Sequence, residues 1–165
     1  GNNRLIPAGP LRETIVRGLS RADAIVLIGR DETGISDILN NYELPMFQAE
    51  LIPTLQSRKL RGQTVVAFSG IGRPNKFFLT LHNIGCTIIK RVSFSDHHQF
   101  KPHEIMKLVE FADSRGAILV TTEKDWVRLP PDTQPMIQSV SVNLEWENSD
   151  ALLNLINPIL IKNCF

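Results

Sequence analysis

Three times between Thr64 and Leu129 the chain repeats one pattern: a short run of apolar and β-branched residues, a polar or glycine-marked turn, then apolar residues at helical spacing. "TVVAFSG" leads into "IGRP", "CTIIKRVSF" into "SDHHQFKP", and "AILVTT" into "EKDWVRL". A helix between successive strands returns the chain to the same end of the sheet. The alternation therefore predicts an α/β fold built on a parallel sheet flanked by helices.

The turns carry their own marks. Pro74 suits the first turn of a helix whose apolar face is Phe77, Phe78, Leu81 and Ile84, with Gly85 closing it. Pro102 opens a second helix, with Ile105, Leu108, Val109 and Ala112 on one face and Gly116 as the stop. Thr122 and Asp125 have capping-box spacing, and Pro130-Pro131 ends that third helix. Upstream, 11–19 reads as a short helix with Arg12 and Glu13 in its first turn, and "ADAIVLIG" (22–29) as a buried strand. "ISDILNNY" suggests a further short helix, and "PMFQAELIPTL" alternates like a half-buried strand. Residues 136–146 alternate as one strand, Ser149 can cap a last helix through Leu152, Leu153 and Ile156, and Pro158 should kink or end it.

The 165 residues are 42% apolar, which supplies a core, and 18 basic against 17 acidic residues leave a net charge of +1. That balance gives no reason to expect a nucleic-acid partner. Cys86 and Cys164 have neither disulfide-framework nor zinc spacing, so a reducing compartment is expected. No run reaches the roughly 18 consecutive apolar residues of a membrane span, and no signal segment opens the chain. The expectation is a cytosolic or peripheral protein. Gly1 begins a motif-like stretch, "GNNRLIPAGPLRE", which reads as the start of a piece cut from a longer protein.

In open α/β sheets functional groups gather beyond the carboxyl ends of the strands, where "SGIGRP" and "SDHH" both fall. Gly70, Gly72 and Arg73, beside a helix N-terminus, could hold an anion, or the loop could simply be a tight turn. Asp96, His97 and His98 could serve as ligands or as a base oriented by a carboxylate. Neighbours on a turn point in different directions, so they need not share a ligand sphere, and His82 and His103 have no convincing ligand spacing. Helix capping and surface polarity remain open for the same residues. Lys124, after the third strand, could reach the same rim, and Arg4 and Arg12 sit in a glycine- and proline-shaped loop that can fix a guanidinium for phosphate.

Taken in order, "GNNRLIPAGPLRE", "ADAIVLIG", "FSGIGRPNKFF", "FSDHHQF" and "LVTTEKDWVRL" closely resemble the carboxyl-terminal half of the tetraacyldisaccharide 4'-kinase family, the lipid A kinases of Gram-negative bacteria. The family usually has Gly where this chain has Asn3, a difference that bears on a turn. The resemblance implies ATP-dependent phosphorylation, with Mg2+, of the 4'-hydroxyl of a lipid A disaccharide precursor. It places the enzyme peripherally on the cytoplasmic side of the inner membrane. It also places the phosphate-binding loop and an Asp-Asp-Gly-Phe-Gln-His stretch in the amino-terminal half, so that ATP and Mg2+ bind mainly there. This chain has no G-x-x-x-x-G-K-[ST] and is expected to be inactive by itself.

By the same resemblance Asp96, His97 and His98 are the family's active-site Asp-His-His, one imidazole pairing with an aspartate of the other half. A base that orients a sugar hydroxyl and accepts its proton suits the chemistry, and His97 is favoured for it. Arg12 matches a family arginine that contacts phosphate, with Arg4 a weaker candidate; no residue here is expected to bind metal. The resulting expectation has residues 1–48 ending a P-loop-type nucleotide-binding domain and 49–62 a linker. Residues 63–147 would be a second, Rossmann-like domain and 148–165 a terminal helix. Two rivals stand beside it: a non-catalytic nucleotide- or phosphate-binding module using "GIGRP", and a metal-dependent phosphoesterase using Asp-His-His.

Overall fold

A computed structural model describes residues 4–162; Asn3 and Cys164 lie outside the described residues. The chain divides into two compact units, 1–51 with 144–165 and 52–143.

In the first unit β1 (Ile25–Ile28) runs parallel to β2 (Met46–Pro53), pairing Ile25 with Met46 through Ile28 with Ala49. β7 (Val142–Trp146) lies on the other side of β2. β1 is not buried throughout: Ile25 is buried while Val26 and Ile28 are exposed. An all-apolar strand hides its period-two division between a covered and an open face, because every side chain in it looks alike. Helix α1 is Ile15–Leu19, shorter than 11–19, because Thr14 in extended conformation caps it through the Arg17 N–H. Arg12 and Glu13 therefore precede the helix. Helix α2 is Ile35–Leu39, and helix α7, Ser149–Lys162, is capped by Asn148 Oδ1 on the Ala151 N–H at 3.0 Å rather than by Ser149. It continues through Pro158, which removes one backbone donor without ending the helix.

The second unit contains helix α3 (Leu55–Arg58), β3 (Thr64–Ser69), α4 (Pro74–Ile84), β4 (Thr87–Ser93), α5 (Pro102–Asp113), β5 (Ile118–Thr122), α6 (Glu123–Trp126), a 3-10 turn (Pro131–Met136) and β6 (Gln138–Val140). Its strands are all parallel, in the order β4-β3-β5-β6. Alternate residues of β3 feed two cores. Val66 and Phe68 pack with Ile105, Leu108, Val109 and Ala112 of α5, whereas Val65 and Ala67 pack with Phe77, Phe78, Leu81 and Ile84 of α4. Helices thus cover both faces, the Rossmann-like arrangement expected.

Two further local readings differ from the structure. Residues 49–62 continue β2 and form α3, with Ser57 and Leu60 both 1% exposed. Residues 136–146 are two strands in different sheets, broken at Ser141. There the Ser141 N–H donates to Ser57 Oγ, and its carbonyl accepts from the Ser57 hydroxyl and the Thr54 N–H. These bonds draw Ser141 out of the ladder, which an alternating pattern cannot show.

Candidate active site

The order β4-β3-β5-β6 means that the chain leaves β3 in one direction to reach β4 and then crosses back past β3 to reach β5. The reversal opens a crevice between the carboxyl ends of β3 and β5, the usual place for a site in such a sheet. Here it is filled from within. Asp125, in α6 after β5, has no solvent exposure, and its Oδ2 accepts from the Ser69 hydroxyl at 3.1 Å, the Gly70 N–H at 2.9 Å and the Thr122 hydroxyl at 2.9 Å. Arg128 completes the set, Nη1 donating to Oδ1 at 3.3 Å. A carboxylate so deeply buried is tolerated only with donors of this kind around it.

The loop after β4 is built on top of this crevice. Phe94, His98 and Phe100 turn inward: the His98 ring stacks on Phe94 with centroids 4.7 Å apart and meets Phe100 edge-on at 5.4 Å. His98 Nε2 lies 2.9 Å from Glu104 Oε2, which also accepts the Lys101 N–H at 2.9 Å and so serves the start of α5. The hydrogen bond from His98, followed by that from the Lys101 backbone, holds the Glu104 carboxyl below its ordinary pKa. Arg128 Nη2 donates to the His98 carbonyl at 2.7 Å. His98 is held at its ring and its backbone alike.

His97 is the opposite case. Its side chain is 71% exposed, and its φ of 59° is the only positive value recorded for a residue other than glycine among the described residues. The left-handed conformation costs a β-carbon residue roughly 1 kcal/mol and persists where neighbours impose it. Its N–H donates to the Gly70 carbonyl at 3.1 Å, and Nε2 lies 3.9 Å from Asp96 Oδ2, an electrostatic contact longer than a hydrogen bond. The turn thus sends adjacent imidazoles to opposite sides, one into the scaffold and one to solvent.

Of the residues singled out from sequence, Gly70, Gly72, Asp96, His97 and His98 meet at this rim. A β-carbon on Gly72 would lie 3.3 Å from Asp96 Oδ2, and one on Gly70 3.1 Å from Phe100 Cζ, so both glycines allow close approach. The Gly70 N–H is already given to Asp125. Arg73 and Lys124 are exposed at the starts of α4 and α6. Arg4 and Arg12 belong to the first unit, Arg12 exposed and Glu13 committed to an ion pair with Arg21 instead. Among the described residues no three His, Cys, Asp or Glu side chains group as a metal-binding set. Sequence reading missed Ser69, Glu104, Asp125 and Arg128 as builders of the rim. Thr122 and Asp125 were visible as a cap, and the Thr122 hydroxyl does accept the Asp125 N–H at 3.0 Å. The inward turn of the Asp125 carboxylate was not visible.

Comparison with known proteins gives the geometry a context. The family described as Tetraacyldisaccharide-1-P 4'-kinase matches residues 1–160. The chain is 42% identical over 161 residues to the tetraacyldisaccharide 4'-kinase of Rhodospirillum centenum, covering 97% of this chain and 48% of that one. It is 41% identical over 162 residues to that of Paramagnetospirillum magneticum, covering 98% and 50%, and 41% identical over 164 residues to that of Rhodospirillum rubrum, with the same shares. The chain spans about half the length of the curated relatives it matches. No solved structure matches it.

Proposed function

The chain belongs to the tetraacyldisaccharide-1-P 4'-kinase family, and from that premise we propose that it is the carboxyl-terminal half of a kinase that phosphorylates the 4'-hydroxyl of a tetraacyldisaccharide 1-phosphate. The observation that carries this reading is the division of labour between His97 and His98. One imidazole is fixed to the scaffold by Glu104, Phe94 and Phe100, while the other stands exposed on a left-handed turn beside Asp96. An exposed imidazole on a rigid turn suits a base, which must reach an incoming hydroxyl without searching for it.

ATP supplies the phosphoryl group and Mg2+ accompanies it, but the residues present do not fit a nucleotide cradle. The chain lacks G-x-x-x-x-G-K-[ST], and its described residues hold no acidic metal set. Both are assigned to the amino-terminal half, with residues 1–48 as the end of that nucleotide-binding domain. This chain contributes proton acceptance at the sugar hydroxyl by His97, with the Asp96 carboxylate 3.9 Å from its Nε2. Arg12, Arg4, Arg73 and Lys124 offer cations for the phosphates of the two substrates, and Gly72 leaves room beside Asp96. A lipid substrate used together with ATP supports a peripheral position on the cytoplasmic side of the inner membrane. Among the described residues no helix is long and apolar enough to cross a membrane.

In the full-length enzyme His97→Ala is expected to lower kcat by roughly two to four orders of magnitude with little change in the KM for ATP. His98→Ala should lower thermal stability as well, since it removes the Glu104 bond and the Phe94 stack. A His97→Ala enzyme with normal turnover would end the assignment of His97 as the base.

A further inference from the structure

We propose that Arg128, held by the buried Asp125, is a positioning residue that sets the backbone of His97; this rests on the reading of His97 as the base. Two routes lead from one carboxylate to the backbone of the turn that carries His97, one to its own N–H and one to the carbonyl of the next residue. By the first, Asp125 Oδ2 accepts the Gly70 N–H at 2.9 Å and the Gly70 carbonyl accepts the His97 N–H at 3.1 Å. By the second, Asp125 Oδ1 accepts from Arg128 Nη1 at 3.3 Å and Arg128 Nη2 donates to the His98 carbonyl at 2.7 Å. The turn is thereby tied to the crevice between β3 and β5 before His97, at its own N–H, and after it, at the His98 carbonyl. That accounts for a left-handed residue that is not glycine in an exposed turn, since such a conformation persists only where its surroundings over-determine it.

The arrangement fits guidance better than bulk stability. Arg128 also lies over the Phe100 ring, its guanidinium carbon 5.7 Å from the centroid, so the planar fork is kept in register with both acceptors. Its side chain is 22% exposed, at the edge of the core rather than within it. No part of it needs to touch substrate. Its effect reaches the reaction through the direction in which His97 points.

Steady-state kinetics of full-length Arg128→Lys test this. Lysine keeps a charge beside Asp125 but loses the planar fork whose two nitrogens serve Asp125 Oδ1 and the His98 carbonyl separately. We expect kcat to fall about tenfold or more with the KM for ATP within about twofold and a near-wild-type melting temperature. In a His97→Ala background the same change should cost nothing further, because the group being positioned is gone. For Arg128→Ala, added guanidinium should restore a measurable part of the lost turnover. The proposal is overturned if Arg128→Lys keeps kcat within about twofold, if it costs the same with and without His97, or if it does not fold, which would make the role architectural. Normal turnover in His97→Ala alone would instead sink the reading beneath it, whereas a crippled His97→Ala beside a silent Arg128→Lys sinks only the positioning role.

Discussion

Glu104 shows how one side chain near the rim serves two structures at once, accepting the Lys101 N–H at the start of α5 and the His98 ring at the end of the active turn. Its carboxyl is held below its ordinary pKa by that ring first and by the backbone N–H second. A depressed carboxylate stabilises the fold wherever it is ionised, so its contribution is complete above the unfolded-state pKa and is lost as pH falls through the lower folded-state value. Urea midpoints of the wild type and Glu104→Gln should therefore differ most at neutral pH. The gap should close below the ordinary carboxyl value of 4.5. A gap that stayed open well below that value would mean that the carboxylate is not what holds His98. Sequence showed part of this: the spacing of Lys101 and Glu104 is local, but the reach of Glu104 back to His98 depends on how α5 leaves the turn.

A four-residue helix in the second unit ties its loops together. Helix α6 spans only Glu123–Trp126, too short to be stable by its own hydrogen bonds, and its buried residue is Asp125. Thr122 supports it in both senses, its hydroxyl accepting the Asp125 N–H at 3.0 Å and donating to Asp125 Oδ2 at 2.9 Å. Thr122→Ala should cost about 1 to 2 kcal/mol, the range for losing such a cap, and leave a buried carboxylate short of a donor. Thr122→Ser should stay within about 0.5 kcal/mol of wild type, since it keeps the hydroxyl. Equal losses in both variants, measured by urea unfolding, would assign the effect to the methyl group. The contrast with α4 is instructive. There Phe77, Phe78, Leu81, Ile84 and the left-handed Gly85 could be read from spacing alone, because a long amphipathic helix carries its own signal.

For the whole molecule, the division of the chain makes a prediction of its own. Residues 52–143 are continuous, and both hydrophobic clusters, from Leu60 to Val140, lie inside them. Expressed alone they should fold and unfold in a single cooperative urea transition. A dye-binding, non-cooperative product would show that the clusters need the other unit. The first unit is assembled from 1–51 and 144–165, so neither segment by itself supplies its three strands.

What sequence alone determined was everything that repeats or is local: the strand and helix periods of the second unit, the parallel sheet, the proline and glycine boundaries, and the strand-end position of Asp96, His97 and His98. The family could be read from the same stretches, because five motifs in order survive in the chain itself. Tertiary structure decided the rest: that β1 has an open face, that Ser141 splits one apparent strand into two, that His98 is half-buried and His97 exposed, and that Asp125 and Arg128 hold both. The bond from Arg128 to His98 spans 30 residues and that from Ser69 to Asp125 spans 56. Backbone preference is a property of neighbours in the chain. Burial and pairing depend on which surfaces meet, and only the closed sheet brings those ends together.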